Sequence, residues 1–303
     1  MGVALVRDGL VVIDKAPQWT SHDVVAKLRG VYGQKRVGHA GTLDPDATGV
    51  LLVGLGRATR LLRFLQEAGK EYRARVVFGV ATDTLDASGA VLERAEMTIT
   101  RDELAVAARA FVGDIEQVPP MVSALKVGGR RLYELARAGE EIERAARTVR
   151  IEELVVEEFE PGAYPEATIR VACSTGTYIR TLAADLGAAL GGCAHLGSLR
   201  RLRVGSFTLD EARPIEAVQA DPDAAVRPPT EAVRDLECVR VDAERARAVV
   251  HGATFAAPAL LGDRDGAGPF AVVDEAGALL AVYERRGGGV KPSVVLATEA
   301  AIS

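Results

Sequence analysis

Residues 38–49 read Gly38-His39-Ala40-Gly41-Thr42-Leu43-Asp44-Pro45-Asp46-Ala47-Thr48-Gly49, and the apolar run Val50-Leu51-Leu52-Val53 follows at once. Three glycines and a proline keep the segment from being a plain helix or strand. Pro45 biases Asp44 toward extended dihedrals. The segment therefore reads as a loop tied directly to a buried element. A carboxylate fixed on such a loop is a common way to present a catalytic acid or nucleophile. An Asp-Pro turn whose carboxylate only bonds nearby backbone is the competing reading.

Outward from this loop the chain alternates strands and helices without a regular βα repeat, which favours an α+β fold over a doubly wound sheet. Leu10-Val11-Val12-Ile13 reads as a strand. A helix follows, capped by Thr20 or Ser21, with Val24, Val25, Leu28, Val31 and Tyr32 on one face and Gly33 as its stop. A helical run through Leu61, Leu62 and Leu65 ends near Gly69. Tyr72, Ala74, Val76, Phe78 and Val80 alternate with Arg73 and Arg75 as in a half-buried strand. Asp83, Asp86, Ser88 and Gly89 mark a turn, and Thr100 with Glu103 forms a capping box. Residues 117–147 read as an insertion, part loop and part helix, expected to move in the absence of a ligand. Strands return at Val149–Glu157 and Ile169–Cys173, and Ser174 or Thr175 caps a helix carrying Ile179, Leu182, Leu186 and Leu190. Residues 221–229 read as a linker. Beyond it come one short helix and several strands, with Gly287-Gly288-Gly289 as a hairpin or linker.

With 303 residues, 48% of them hydrophobic, the chain can hold one large domain and a small one. No apolar run is long enough to span a membrane and the first residues do not read as a signal peptide. Cys173, Cys193 and Cys238 are odd in number and widely separated, and the histidines lack metal-motif spacing. A cytoplasmic protein without a metal is the simplest reading. The net charge of −5 argues mildly against a nucleic-acid partner, but Arg29, Lys35, Arg36, Arg57, Arg60, Arg63, Lys70, Arg73 and Arg75 outnumber the acids in their stretch. Such a locally basic face can bind phosphates.

The segment from Gly38 to Gly49 resembles the catalytic loop of the pseudouridine synthases, G-H-x-G-x-L-D-P-x-A-T-G, and the further matches are closest to the tRNA pseudouridine synthase B (TruB) branch. The resemblance implies a pseudouridine synthase fold with a mixed, largely antiparallel central sheet over residues 1–226. It implies a linker at 227–235 and a small β-rich PUA-like RNA-binding domain at 236–303. The activity implied is isomerisation of uridine 55 in the tRNA T-loop, with no cofactor, no metal and no obligatory protein partner. Asp44 would be the essential aspartate. Ser174-Thr175-Gly176-Thr177-Tyr178-Ile179-Arg180 resembles S-x-G-T-Y-I-R, whose arginine pairs with that aspartate. Lys70-Glu71-Tyr72-Arg73 resembles K-x-Y-R, which would make Tyr72 the residue that stacks on uracil. His39 would fill the space left by the flipped nucleotide. Tyr178 and Leu199 would wall the pocket. Lys15 would support the catalytic loop from a motif in which Ala16 and Gln18 replace the usual proline and glycine. Lys126, Arg130 and Arg131 would hold T-loop phosphates, with Val122 where an aromatic is usual. Arg200 belongs to a second basic cluster, 199–203, whose arginines would face backbone or the protein's own carboxylates. A non-catalytic RNA-binding protein and a hydrolase are the rivals; a hydrolase ordinarily needs a second, correctly spaced carboxylate.

Overall fold

The apolar runs on either side of the Asp44 loop become the crowded end of a nine-stranded mixed sheet. The computed structural model describes residues 7–121, 126, 127, 130, 131 and 142–297. In chain order the sheet uses β1 (Gly9–Lys15), β2 (Val37–Ala40), β3 (Thr48–Leu55), β4 (Lys70–Phe78), β7 (Gly113–Gln117), β10 (Arg147–Glu160), β11 (Glu166–Cys173), β12 (Ala194–Val204) and β13 (Phe207–Thr208). The main path runs β1-β3-β12-β4-β11-β10-β7. Its pairings are antiparallel except that of β12 with β3.

That one parallel contact decides where the site lies. β3 meets β12 only at Thr48 and Gly49, and from Leu52 to Leu55 its partner is β2 instead. The loop 41–47 leaves the sheet where β3 changes neighbour. Gly49 is needed at the crossing: its φ is +103° and a Cβ there would stand 2.1 Å from the Arg201 carbonyl oxygen. The first part of the glycine-rich segment, Gly38–Ala40, is thus strand rather than loop, because β3 offers it a ladder.

β1 and β3 are buried on both faces, which explains their continuous apolar runs. Val11, Ile13, Leu51 and Val53 face one core, shared with α1 (Ser21–Tyr32), α3 (Arg101–Ala110) and α4 (Ile179–Ala189). Leu10, Val12, Val50 and Leu52 face a second core with Leu61, Leu62 and Leu65, the last two on α2 (Leu62–Glu67). The Thr100–Glu103 capping box forms, and the structure adds a second, Thr20 with Asp23, so Thr20 rather than Ser21 caps α1. The helix expected to start at Ser174 or Thr175 starts at Ile179. Gly176, at φ +85°, and a Thr177 Oγ1 bond of 2.9 Å to the Ser174 carbonyl make that stretch a turn.

The C-terminal sheet has five strands in the order β14 (Glu237–Arg240), β16 (Phe270–Val273), β17 (Leu279–Arg286), β18 (Gly289–Val295) and β15 (Phe255–Ala256). Phe270 and Val272 point into its own core, whereas Ala271 and Val273 point into the second core shared with β1 and β3. Two helices serve this sheet, Ala243–Val250 and the unexpected Ala257–Leu261; Gly287 and Gly288 make the β17–β18 hairpin turn. The segment read as a linker is packed. Leu10 exchanges backbone hydrogen bonds with Arg227, the Tyr32 hydroxyl donates to the Pro222 carbonyl, and Ala232 and Val233 are buried.

Of the insertion, the backbone of β8 (Lys126–Val127) pairs with that of β9 (Arg130–Arg131). Val122, the proposed helix of the insertion and the side chains of Lys126, Arg130 and Arg131 lie outside the described residues.

Candidate active site

The Asp44 loop is held at four points and leaves the Asp44 carboxylate accessible. At its start Arg201 NH2 donates to the Gly41 carbonyl, 3.1 Å. The Ser21 hydroxyl accepts from Leu43 N–H at 2.9 Å and lies 3.2 Å from the Leu43 carbonyl. Lys15 Nζ donates to the Pro45 carbonyl at 2.9 Å, and to Ala16 and Trp19 carbonyls at 2.9 and 2.6 Å. Asp44 itself closes a turn by accepting from Ala47 N–H, 3.1 Å. Lys15, 1% exposed, is therefore a brace of the loop. Burial brings its amine down to about 8, against the opposing pull of Asp46 and Asp44. Gln18 takes φ +65° beneath this brace, so the turn that glycine would make is kept at a position that has a side chain.

Arg180 stands in the first turn of α4, where the helix dipole opposes a cation. Two carboxylates offset this. Its Nε lies 3.1 Å from Asp44 Oδ2 and its NH1 lies 3.4 Å from Asp86 Oδ2, while NH1 also donates to the Thr84 carbonyl at 3.2 Å. The other Asp86 oxygen, Oδ1, accepts from Thr84 Oγ1 and from Ser88 N–H and Oγ, so the turn between β5 (Val80–Thr82) and β6 (Val91–Arg94) aims the carboxylate. Asp44 is the open end of the network: 47% of its side chain is accessible against 6% for Arg180. Desolvation by the surrounding protein pushes Asp44 above the usual carboxylate range; Arg180 and Lys15 pull it down, and Asp86 and Asp46 push it up. The result is an accessible, ionisable carboxylate oriented by a buried cation.

Tyr72 lies on β4, 9% exposed, directly opposite Arg201 on β12. Its phenol is pushed up by burial and drawn down by the neighbouring Arg201 guanidinium. His39 is on β2 with Nδ1 buried and without a hydrogen-bond partner among the described residues. Desolvation, then Arg201 and His22, hold its imidazole below the ordinary value, so it is neutral at pH 7. Tyr178 precedes α4 and its backbone is bound on both sides by Gln117, which donates to its carbonyl at 3.3 Å and accepts its N–H at 3.0 Å. Leu199 is half-buried against the first core. Arg200 is engaged with the protein, at 2.8 Å from Asp14 Oδ2 and 3.2 Å from Thr48 Oγ1.

Sequence reasoning did not find three of these parts as site residues. Asp86 was legible only as a turn former, Ser21 only as a possible cap, and Arg201 only as one member of a basic cluster. The arginines of the 29–75 stretch do not form one basic face. Arg57 pairs with Asp8 and donates to the Leu296 carbonyl, Arg60 donates to the Val295 carbonyl, and Arg63 pairs with Glu284. Arg73 pairs with Glu157 and Glu158, and Arg75 with Glu166.

Comparison with known proteins agrees with this architecture. Residues 29–179 match the TruB family pseudouridylate synthase N-terminal domain, and residues 180–231 match the tRNA pseudouridylate synthase B C-terminal domain. The tRNA pseudouridine synthase B of Thermobifida fusca is 47% identical over 96% of this chain and 99% of its own length. That of Symbiobacterium thermophilum is 50% identical over 81% and 82%. Among solved structures, a chain of a Cbf5–Nop10–Gar1 complex superimposes with a TM-score of 0.76 at 26% identity, covering 97% of this chain and 86% of that one. An H/ACA ribonucleoprotein bound to a substrate RNA containing 2′-deoxyuridine gives 0.73 at 26%, over 95% and 85%. The 47% identity over nearly the full length, the shared fold and the domain match that spans the Asp44 segment together place the chain in the TruB family of pseudouridylate synthases.

Proposed function

We propose that this chain isomerises uridine 55 of the tRNA T-loop to pseudouridine, with Asp44 as the reacting carboxylate. The observation that carries the reading is the Asp44–Arg180–Asp86 network, with its most accessible end at Asp44. Conversion breaks the bond from ribose C1′ to N1 and makes one from C1′ to C5. Asp44 acts on the sugar side, trapping C1′ as an ester or removing the 2′ proton, and both routes need the ionised form. Arg180 favours that form against desolvation. Asp86 divides the guanidinium's attention, so Arg180 is fixed in place without neutralising Asp44 completely.

The target nucleotide is flipped out of the T-loop at a cost of a few kcal/mol. Tyr72 stacks on the extruded uracil, a contact worth roughly 1–3 kcal/mol, and neutral His39 occupies the space the base leaves. Tyr178 and Leu199 wall the pocket. Lys126, Arg130 and Arg131 take phosphates and so position the loop without reading its sequence. In this reading residues 1–226 are the catalytic unit, 227–235 the connection and 236–303 a PUA-like unit for a further part of the RNA. The unpaired, widely spaced cysteines fit a cytoplasmic setting; among the described residues no helix is long and apolar enough to cross a membrane.

The test is product mapping on tRNA transcripts. Pseudouridine at position 55, with none in a transcript carrying cytidine there, is the expected result. Free uracil would identify a hydrolase, and unchanged RNA that nonetheless binds would identify a binding protein.

A further inference from the structure

Helix α4 carries Arg180 in its first turn, yet none of the usual local signals fixes where that helix begins. Its N-cap is Tyr178, whose side chain makes no capping hydrogen bond, and no acidic residue stands in the first turn. Helix starts favour Ser, Thr, Asp or Asn at the cap, and the dipole favours acids rather than an arginine at this end. The start of α4 is therefore set from outside the helix.

Gln117 supplies that outside hold. It is the last residue of β7 and is 1% exposed. Its Oε1 accepts from the Tyr178 N–H at 3.0 Å, and its Nε2 donates to the Tyr178 carbonyl at 3.3 Å. A backbone N–H only donates and a carbonyl only accepts, so the amide has one possible orientation. Tyr178 is extended, at φ −102° and ψ 108°, and the amide pairs with it as a residue of a neighbouring strand would. The same carbonyl accepts from Leu182 N–H at 3.0 Å, the first bond of the helix. At the far end of the turn Ser174 is tied to Arg150 on β10: its N–H donates to the Arg150 carbonyl at 2.8 Å and its hydroxyl accepts from Arg150 N–H at 2.9 Å. Between these ties Gly176 has no neighbour within 4 Å of the point where a Cβ would stand. The turn thus depends on its two ends, and Gln117 holds the end that leads into Arg180. Thr181 Oγ1 adds only a longer bond, 3.4 Å, to the Val118 carbonyl.

We propose that Gln117 is a positioning residue for the reaction: by clamping the Tyr178 backbone it sets where α4 begins and so holds Arg180 against Asp44. This rests on the synthase reading above. Arg180 Nε stands 3.1 Å from Asp44 Oδ2, a contact that a small slide of the helix start would open. A misplacement of about 1 Å can cost on the order of 10²-fold in rate. The charged groups facing Asp44 are Arg180 from α4, Asp86 from the β5–β6 turn, Lys15 from β1 and Asp46 from its own loop. Of these only Arg180 is carried by α4. Arg180 draws the Asp44 carboxyl down, so loosening it raises the pH at which Asp44 ionises. The rising limb of the pH–rate profile then moves to higher pH.

A double-mutant cycle read across pH tests this. Single-turnover tritium release from 5-tritiated tRNA at saturating enzyme is measured for the parent, Gln117→Met, Arg180→Gln and the pair, beside tRNA affinity and thermal midpoint. Methionine keeps the length of glutamine but has no N–H to donate and only a weak acceptor. Gln117→Met is expected to lose ~10- to 10²-fold in rate, with its limb moved to higher pH and tRNA affinity within ~3-fold of the parent's. In the Arg180→Gln background the same change is expected to cost no more than ~2-fold, because its route of action is gone. If Gln117→Met does not fold, Gln117→Asn decides by the same readings, since it keeps the amide but draws it back by one methylene. A limb that stays in place, a lower thermal midpoint with an unchanged rate, or factors that multiply between the two positions would overturn the inference. A folded, tRNA-binding parent that releases no tritium would instead overturn the synthase reading.

Discussion

The arginines on the two faces of the central sheet have opposite settings. On the open face Arg73, Arg75 and Arg170 are a third to a half exposed, and each meets two or more glutamates. On the packed side Arg180 and Arg201 are 5% and 1% exposed. Arg180 is shared by two aspartates, and Arg201 bonds to carbonyls. The open-face pairs sit in water, where an ion pair contributes little. The buried pair sits where each charge is costly unless something uses it. Abundance of exposed charge therefore marks the solvated face, and burial of charge marks the site.

The sharpest way to break this comparison is to remove one arginine from each face. Arg180→Gln should slow tritium release by on the order of 10³-fold, since it takes away both the orientation and the charge that favour ionised Asp44. Arg170→Gln should leave the rate unchanged in the same single-turnover assay. Equal losses in the two variants would erase the distinction.

The next effect is on pH dependence. In the proposed reaction Asp44 acts in its ionised form, and its folded-state pKa lies above the ordinary value of 3.8. The rate should therefore rise with pH along a limb that lies above the ordinary aspartate range. Asp86 pushes Asp44 up, so Asp86→Asn should move this limb to lower pH, even as it loosens Arg180 and lowers the plateau. A limb that moved upward in the pH–rate profile would contradict the assigned sign.

Smaller effects belong to stability. Arg170→Gln should change the urea-derived unfolding free energy by less than ~1 kcal/mol, because its ion pairs are solvent-screened and two of its three partners, Glu71 and Glu157, keep Arg203 and Arg73. Gln18→Gly should raise it by about 0.5 kcal/mol: relief of a side chain at positive φ is partly cancelled by a freer unfolded chain. A loss of stability in Gln18→Gly would mean that the Gln18 side chain makes a compensating contact.

Much of this was legible in the sequence because it rests on local chemistry. Thr100 with Glu103 announces a helix start through a reciprocal bond three residues long, and a cap at Thr20 or Ser21 announces another. Tyr72, Ala74, Val76 and Phe78 announce their strand by period two. The Asp44 loop stood out because glycine and proline chemistry is visible residue by residue. What stayed hidden depends on distant partners. Asp86 looks like any turn aspartate until α4 brings Arg180 to it. Ser21 sits one position from the true cap, and its hydroxyl serves a loop rather than the helix. Arg57, Arg60 and Arg63 read as a basic face until the C-terminal sheet supplies the carbonyls and the carboxylate that occupy them.

The most direct test of the central claim is tritium release from 5-tritiated tRNA by the parent and by Asp44→Asn, with tRNA affinity measured on both. Isomerisation turns C5 into the glycosidic carbon, so its hydrogen must leave. Release by the parent and none by Asp44→Asn at unchanged affinity is the predicted result. Release by Asp44→Asn at a rate near the parent's would contradict the account, because the network would then orient a carboxylate that the reaction does not use.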